Sequence, residues 1–231
     1  MSLTPQQQTR MDFLEEWVLS RVDEIMPDGN NANIPLGGIV NELNSAAVYV
    51  INNAPLKLLI GAVKQGSSAT VVTDPNTSSV IVVCPTDYLR LARIRLSGWR
   101  IAVHEVGMVN KGRYNQQAFQ QLRGSNARPY VAEIPYLGSG SNASKQAIEC
   151  WPKNSPATIV EFSYLPRIIA ADMPADLDDA LVWYACRNVF TSMRIFNAAA
   201  IAERHAMQAL RMPEASQDDR EVKQDMAGRA R

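Results

Sequence analysis

The sequence predicts an α+β fold: a helical bundle of N-terminal helices and a long C-terminal helix, with an inserted β-rich, sandwich-like domain. Two observations predict it. Apolar residues recur at helical spacing near both ends of the chain, whereas in the middle the period switches to two. At 231 residues the chain can bury a sizeable core. The expected division is N-terminal helices over 1–68, the β-rich insertion over 69–168, the helix that completes the bundle over 169–212, and a polar tail over 213–231.

The first element follows from residues 5 to 26, where Leu14, Trp17, Val18, Arg21, Val22 and Ile25 fall at helical spacing. Pro5 lies near the start and "PDGNN" supplies the stop. A second helix is predicted from about Leu36 to Asn53, with Ile39, Leu43, Ala46, Ala47 and Val50 on one face and Gly37-Gly38 weakening its start. A shorter third helix follows Pro55, whose fixed φ suits a first turn.

After "KQGSSA" the pattern changes, and "TVVTDPNTSSVIVVCP" reads as two short strands around a turn. In the next stretch Ala92, Ile94 and Leu96 alternate with Arg93, Arg95 and Ser97, whereas Trp99, Ile101 and Val103 alternate with Arg100, Ala102 and His104. The apolar phase shifts across Ser97-Gly98. A slip at a glycine means a bulge or tight turn, and both apolar rows are expected on one buried face. "RPYVAEIPY", "SKQAIECWP" and "ATIVEFSYLP" add three strands, with the Gly/Ser-rich "LGSGSNAS" between the first two. Residues 108 to 128 are polar without a firm period and read as an excursion.

From Pro174 the helical period returns. Val182, Cys186, Val189, Met193, Phe196 and Ala200 step along one face as far as about Met212, before Pro213. A helix of about 39 residues would be about 58 Å long. It is therefore expected to leave the domain or to break near Asn197. The segment after it mixes both charge signs with almost no apolar residue.

Composition excludes several function classes. With 23 basic and 23 acidic residues there is no net field to draw the chain onto DNA or an anionic membrane. No apolar run approaches the roughly 18 residues of a membrane span. Cys84, Cys150 and Cys186 share no close spacing and only His104 and His205 accompany them, which is no zinc pattern. The cysteines are expected as small core groups. No phosphate-binding glycine loop, nucleophile elbow or His-Glu-x-x-His motif is present. His104 and Glu105 are neighbours on a predicted strand, so their side chains are expected on opposite faces. His205 is expected in solvent. Asp176, Asp178 and Asp179 are explained by the helix dipole rather than by a metal. No enzyme and no cofactor is expected.

One feature remains: Arg90, Arg93, Arg95 and Arg100 within one strand-like segment. Three readings stand. The arginines form a solvated face; they form a nucleic-acid surface, which would want exposed aromatics interleaved with them; or they contact a neighbouring subunit, where a planar fork can bind a carboxylate. Asp176, Asp178, Asp179 and Glu161 are acidic partners for the third.

The run "VVCPTDYLRLARIRLSGWRIAVHEV", a proline-aspartate-aromatic-leucine-arginine turn leading into a β-ribbon, resembles the head-to-tail adaptor proteins of tailed bacteriophages, also called connector, head-completion or tail tubular proteins. So does "IVEFSYLPRIIAADMPADLDDALVWYACRNVF", in which a strand ends in "YLP" and an acidic start opens an alanine-rich helix. The chain is also similar in flavour to the ring proteins of crAss-like phages. The resemblance covers roughly residues 10 to 210 and implies a structural virion protein: a homo-oligomeric ring, commonly of twelve copies, beneath the portal protein at the head–tail junction. Such a protein is made in the cytoplasm of the host bacterium. Further tail or ring proteins are implied partners, and genomic DNA passes through the channel without specific binding. Leu181 to Ala209 would be the central helix. Arg90, Arg93 and Arg95 would face a neighbour or the next ring. The tail, with Met212, Pro213, Asp218, Asp219, Arg220, Lys223, Arg229 and Arg231, would dock on the portal. The long β-region and the excursion at 108–128 depart from a minimal adaptor.

Overall fold

The computed structural model describes residues 3–26, 36–66, 68–73, 79–108, 112–137, 143–154 and 156–211. The tail residues Met212 to Arg231 lie outside the described residues. The fold is α+β, and the chain divides into two compact units, Met1–Gly61 with Ile168–Arg231, and Ala62–Arg167.

In the helical unit, α1 (Pro5–Ile25) opens on a capping box. The Gln7 amide donates to Thr4 Oγ1 at 3.3 Å, and Thr4 N donates back to Gln7 Oε1 at 2.9 Å, so two amides at the helix start find partners. Its buried stripe is Met11, Leu14, Val18 and Val22, while Trp17, Arg21 and Ile25 are only partly buried. Helix α2 (Leu36–Asn53) buries Ile39, Leu43, Ala46, Ala47 and Val50 as the spacing predicts. Tyr49 of α2 stacks on Tyr184 with ring centres 3.6 Å apart. The short element after Pro55 is a 3-10 helix, Leu56–Ala62.

The predicted long C-terminal helix is two helices, α4 (Asp178–Ser192) and α5 (Phe196–Arg211). The chain breaks at 193–195, a few residues before the expected point. Arg194 has φ 61°; its amide donates to the Thr191 carbonyl at 3.0 Å, and the Ile195 amide donates to the Phe190 carbonyl at 2.8 Å. This is a Schellman ending with arginine where glycine is usual. The apolar row therefore stops early: Val182, Cys186 and Val189 are buried, but Phe196 and Ala200 are exposed. Helix α5 turns inward a different face, Ala198, Ala199, Ala202, Ala206 and Leu210.

The second unit holds β1 (Lys64–Gln65), β2 (Thr70–Val72), β3 (Val80–Val83), β4 (Tyr88–Leu96), β5 (Gly107–Met108), the one-turn α3 (Gly112–Asn115), β6 (Tyr130–Leu137), β7 (Ala143–Trp151) and β8 (Ile159–Pro166). One sheet has the order β1-β8-β4 and the other β2-β3-β7-β6-β5. Neighbours are antiparallel except for β5 and β6. Val82, Ile94, Val131, Ile148 and Phe162, drawn from both sheets, share one buried cluster, so the sheets enclose a common core.

The ribbon ends differently from expectation. Gly98, with φ +81°, makes the predicted turn, but Trp99 to Val106 do not form a returning strand. A single bridge joins Ile94 and Val103, and the Arg100 amide donates instead to the Asn126 carbonyl at 2.8 Å. Trp99 stays buried, whereas Ile101 is 52% exposed. Among the described residues, no helix is long and apolar enough to cross a membrane.

Candidate subunit-contact site

The four arginines do not share one environment. Register pairs Arg95 with Glu161 and Arg93 with Ser163 across β4 and β8. Arg93 Nε lies 2.7 Å from Glu161 Oε2, and Arg95 Nη2 lies 2.7 Å from Glu161 Oε1. One carboxylate is thus held between two guanidinium groups on the outer face of the strand pair. Arg90 is only partly exposed; burial pushes its pKa down, and the charges of Glu133 and Tyr88 act the other way. Arg100 is exposed and lies beyond the strand, after the Gly98 turn. The expected uniform basic face is therefore a pair, a partly buried member and an outlier.

Asp176, Asp178 and Asp179 belong to the helical unit. Asp178 and Asp179 fall in the first turn of α4, where the helix dipole favours negative charge. Asp178 Oδ1 accepts from Arg10 Nη2 at 2.7 Å. The Asp178 pKa is raised, with burial the largest cause; the hydrogen bond and charge of Arg10 lower it, and the Asp176 charge adds to the rise. Asp179 lies 3.8 Å from Arg21, and Asp176 is exposed. Among the described residues no group of acids, histidines and cysteines could hold a metal ion.

Two polar centres of the β unit escape a reading by spacing. Asp87, in the turn before β4, accepts from the Tyr164 hydroxyl at 2.7 Å and from Lys64 Nζ at 3.0 Å, and its carbonyl accepts from the Arg167 amide at 2.7 Å. Burial raises the Asp87 pKa, but the Tyr164 and Lys64 hydrogen bonds, the Lys64 charge and a backbone hydrogen bond together leave the carboxyl below its ordinary value. The Tyr88 hydroxyl donates to Glu133 Oε1 at 2.5 Å, tying β4 to β6 of the facing sheet. Burial, then the Glu133 charge, pushes the Tyr88 pKa far up. The only sequence signal for Asp87 is its place in the "PTDYLR" motif.

His104 Nδ1 is 3.0 Å from the Ala92 carbonyl oxygen at the edge of β4. His104, Glu105, Arg113 and Tyr130 line an open cavity of about 610 Å³. His205, exposed as expected, stacks on Trp183 with ring centres 4.5 Å apart. Cys84, Cys150 and Cys186 are free and buried.

Compared with known proteins, the chain matches no family model and no curated protein.

Proposed function

We propose that this chain is a structural virion protein of a tailed bacteriophage. It is one subunit of a ring beneath the portal that joins capsid to tail and continues the DNA channel. The observation that supports this most is the meeting of two distant motifs. The runs 82–106 and 159–190, each of which resembles head-to-tail adaptors, pair with each other as β4 and β8, and the second continues into α4 at the centre of the helical unit. A helical unit made from both ends of the chain and interrupted by a β unit also fits what the resemblance implies.

In this reading repeated contacts around a closed ring supply the stability that no single site provides. Arg93 and Arg95 already hold Glu161, which leaves them poor phosphate ligands and suits a channel along which DNA must slide. The same pairing weighs against a nucleic-acid-binding protein that uses Arg90 to Arg100. The portal protein and further tail proteins are the proposed partners, with Met212 to Arg231 as the portal-docking tail and the head–tail junction as the location.

Electron microscopy of the full chain, alone and mixed with a tailed-phage portal protein, tests the proposal. Circular projections with a central channel support it. In parallel, Glu161→Gln releases both arginines. Steep, salt-sensitive DNA retention by that variant and by the parent chain, with no rings in either sample, would replace the proposal with the nucleic-acid reading.

A further inference from the structure

The excursion at 112–128, which contributes no strand to the order of either sheet, is a braced platform. Gln117 is buried although polar, and its side chain acts as a hub: Nε2 donates to the Arg113 carbonyl at 2.9 Å and Oε1 accepts from the Gly124 amide at 2.7 Å. Arg123 Nε donates to the Gln117 carbonyl at 2.9 Å. Between these anchors the chain turns with Phe119 64% and Leu122 57% exposed. A loop fixed by a buried amide so that it presents two large apolar side chains outward is a docking feature rather than a loose connection. The stretch 112–128 carries Arg113, Arg123 and Arg128 and no acid; Arg123 is held on the Gln117 and Ala118 carbonyls and Arg113 lies over the Tyr130 ring, so neither is neutralised by a carboxylate in these contacts.

Helix α1 offers the complementary surface. Opposite its buried stripe, Phe13 is 55% exposed and tilts against Trp17 at 5.7 Å, beside a cavity of about 540 Å³ lined by Pro5, Gln6, Thr9, Arg10 and Phe13. The helix carries five acids against two arginines, and both arginines are engaged, Arg10 by Asp178 and Arg21 by Glu24 and Asp179. Asp12 and Glu16, next to Phe13 on the outer surface, are exposed.

We infer that the Phe119–Leu122 platform of one copy docks on the Phe13–Trp17 face of α1 in a second copy, with Arg113, Arg123 and Arg128 set against Asp12 and Glu16. The inference rests on the ring reading and specifies how its subunits meet. Charge complementarity selects a second copy as the occupant: a basic-rimmed apolar knob and an acidic-rimmed apolar face occur on the same chain. Two different patches make a heterologous contact, which repeats around a ring and closes if the rotation allows.

The test uses two variants at exposed positions, Phe119→Asp with Leu122→Asp, which keeps the α1 face, and Phe13→Asp, which keeps the knob. Each alone should weaken self-association on the order of tenfold or more while circular dichroism stays that of the parent. Mixed together, they should form a heterodimer and no ring, because each supplies the patch that the other lacks. Arg128→Glu and Glu16→Arg should each weaken assembly and, on one chain, restore it. Rings from the parent and undiminished rings from the knob variant would overturn this contact but leave the ring reading intact. Loss of portal binding alone, without loss of self-association, would also overturn it. A parent chain that is monomeric alone and with the portal would overturn both.

Discussion

Arg95 Nη2 and Glu161 Oε1 stand 2.7 Å apart on residues that face each other directly across β4 and β8. Arg93 closes on the other oxygen of the same carboxylate. Exposed ion pairs contribute about 0.2–1 kcal/mol each and are screened by salt. Glu161→Gln, which keeps the shape and removes the charge, should lower stability by about 1 kcal/mol at low ionic strength and by less at high. Urea unfolding at two salt concentrations measures the difference, and a loss that does not shrink with salt would mean that the pair acts through packing.

Arg194 and Gly98 predict opposite outcomes from the same backbone argument. Arg194 occupies the left-handed region at φ 61°, where a side chain is strained, so Arg194→Gly should raise stability by about 0.5–1 kcal/mol. Gly98 has φ +81°, and an added Cβ would lie 2.8 Å from Asn154 Nδ2, which donates to the Ser97 carbonyl and to Asn126. Gly98→Ala should therefore lower stability by about 1–3 kcal/mol. Thermal unfolding of the two variants should move in opposite directions.

The β unit should weaken in alkali. Burial, then the hydrogen bond and charge of Asp87, pushes the Tyr164 pKa up to about 12, whereas an unfolded tyrosine titrates near 10. A pKa raised by folding gives stability that is fully present below the unfolded value and is lost as pH rises through the folded one. The loss should thus fall between about pH 10 and 12. Tyr164→Phe should flatten that part of the stability profile, followed by circular dichroism and by phenolate absorbance.

All three thiols should be silent until the chain unfolds. Burial raises the pKa of each, and Cys186, despite the lowering influence of Arg21, stands at about 12. Since the thiolate is the reactive species, disulfide reagents should label no cysteine quickly in the native protein and all three in denaturant. Fast labelling of Cys84 would indicate that the β core opens locally.

What the sequence made legible was local. The start of α1 at Pro5, the α2 stripe from Ile39 to Val50 and the alternation of the strands lie within a few residues of their causes, whereas the Thr4–Gln7 capping box was not read from the sequence. The break at Arg194 carries no glycine, so the helical pattern ran through it. Trp99, Ile101 and Val103 alternate like a strand, but the Arg100 amide is claimed by Asn126, a partner that only the folded excursion supplies. The candidate site was legible as residues and not as an arrangement. Glu161 stood among four possible acids, and its choice by Arg93 and Arg95 depends on a register between strands far apart in sequence. Nothing in the pattern marks Gln117 as buried or Phe119 as exposed, because both follow from hydrogen bonds within one irregular loop.

Assembly into a ring is tested by the mass of the chain in solution, from light scattering at two salt concentrations, alone and mixed with a portal protein. A ring-sized species, formed alone or on the portal, is expected. A chain that stays monomeric in every mixture and gains mass only with added DNA would contradict it.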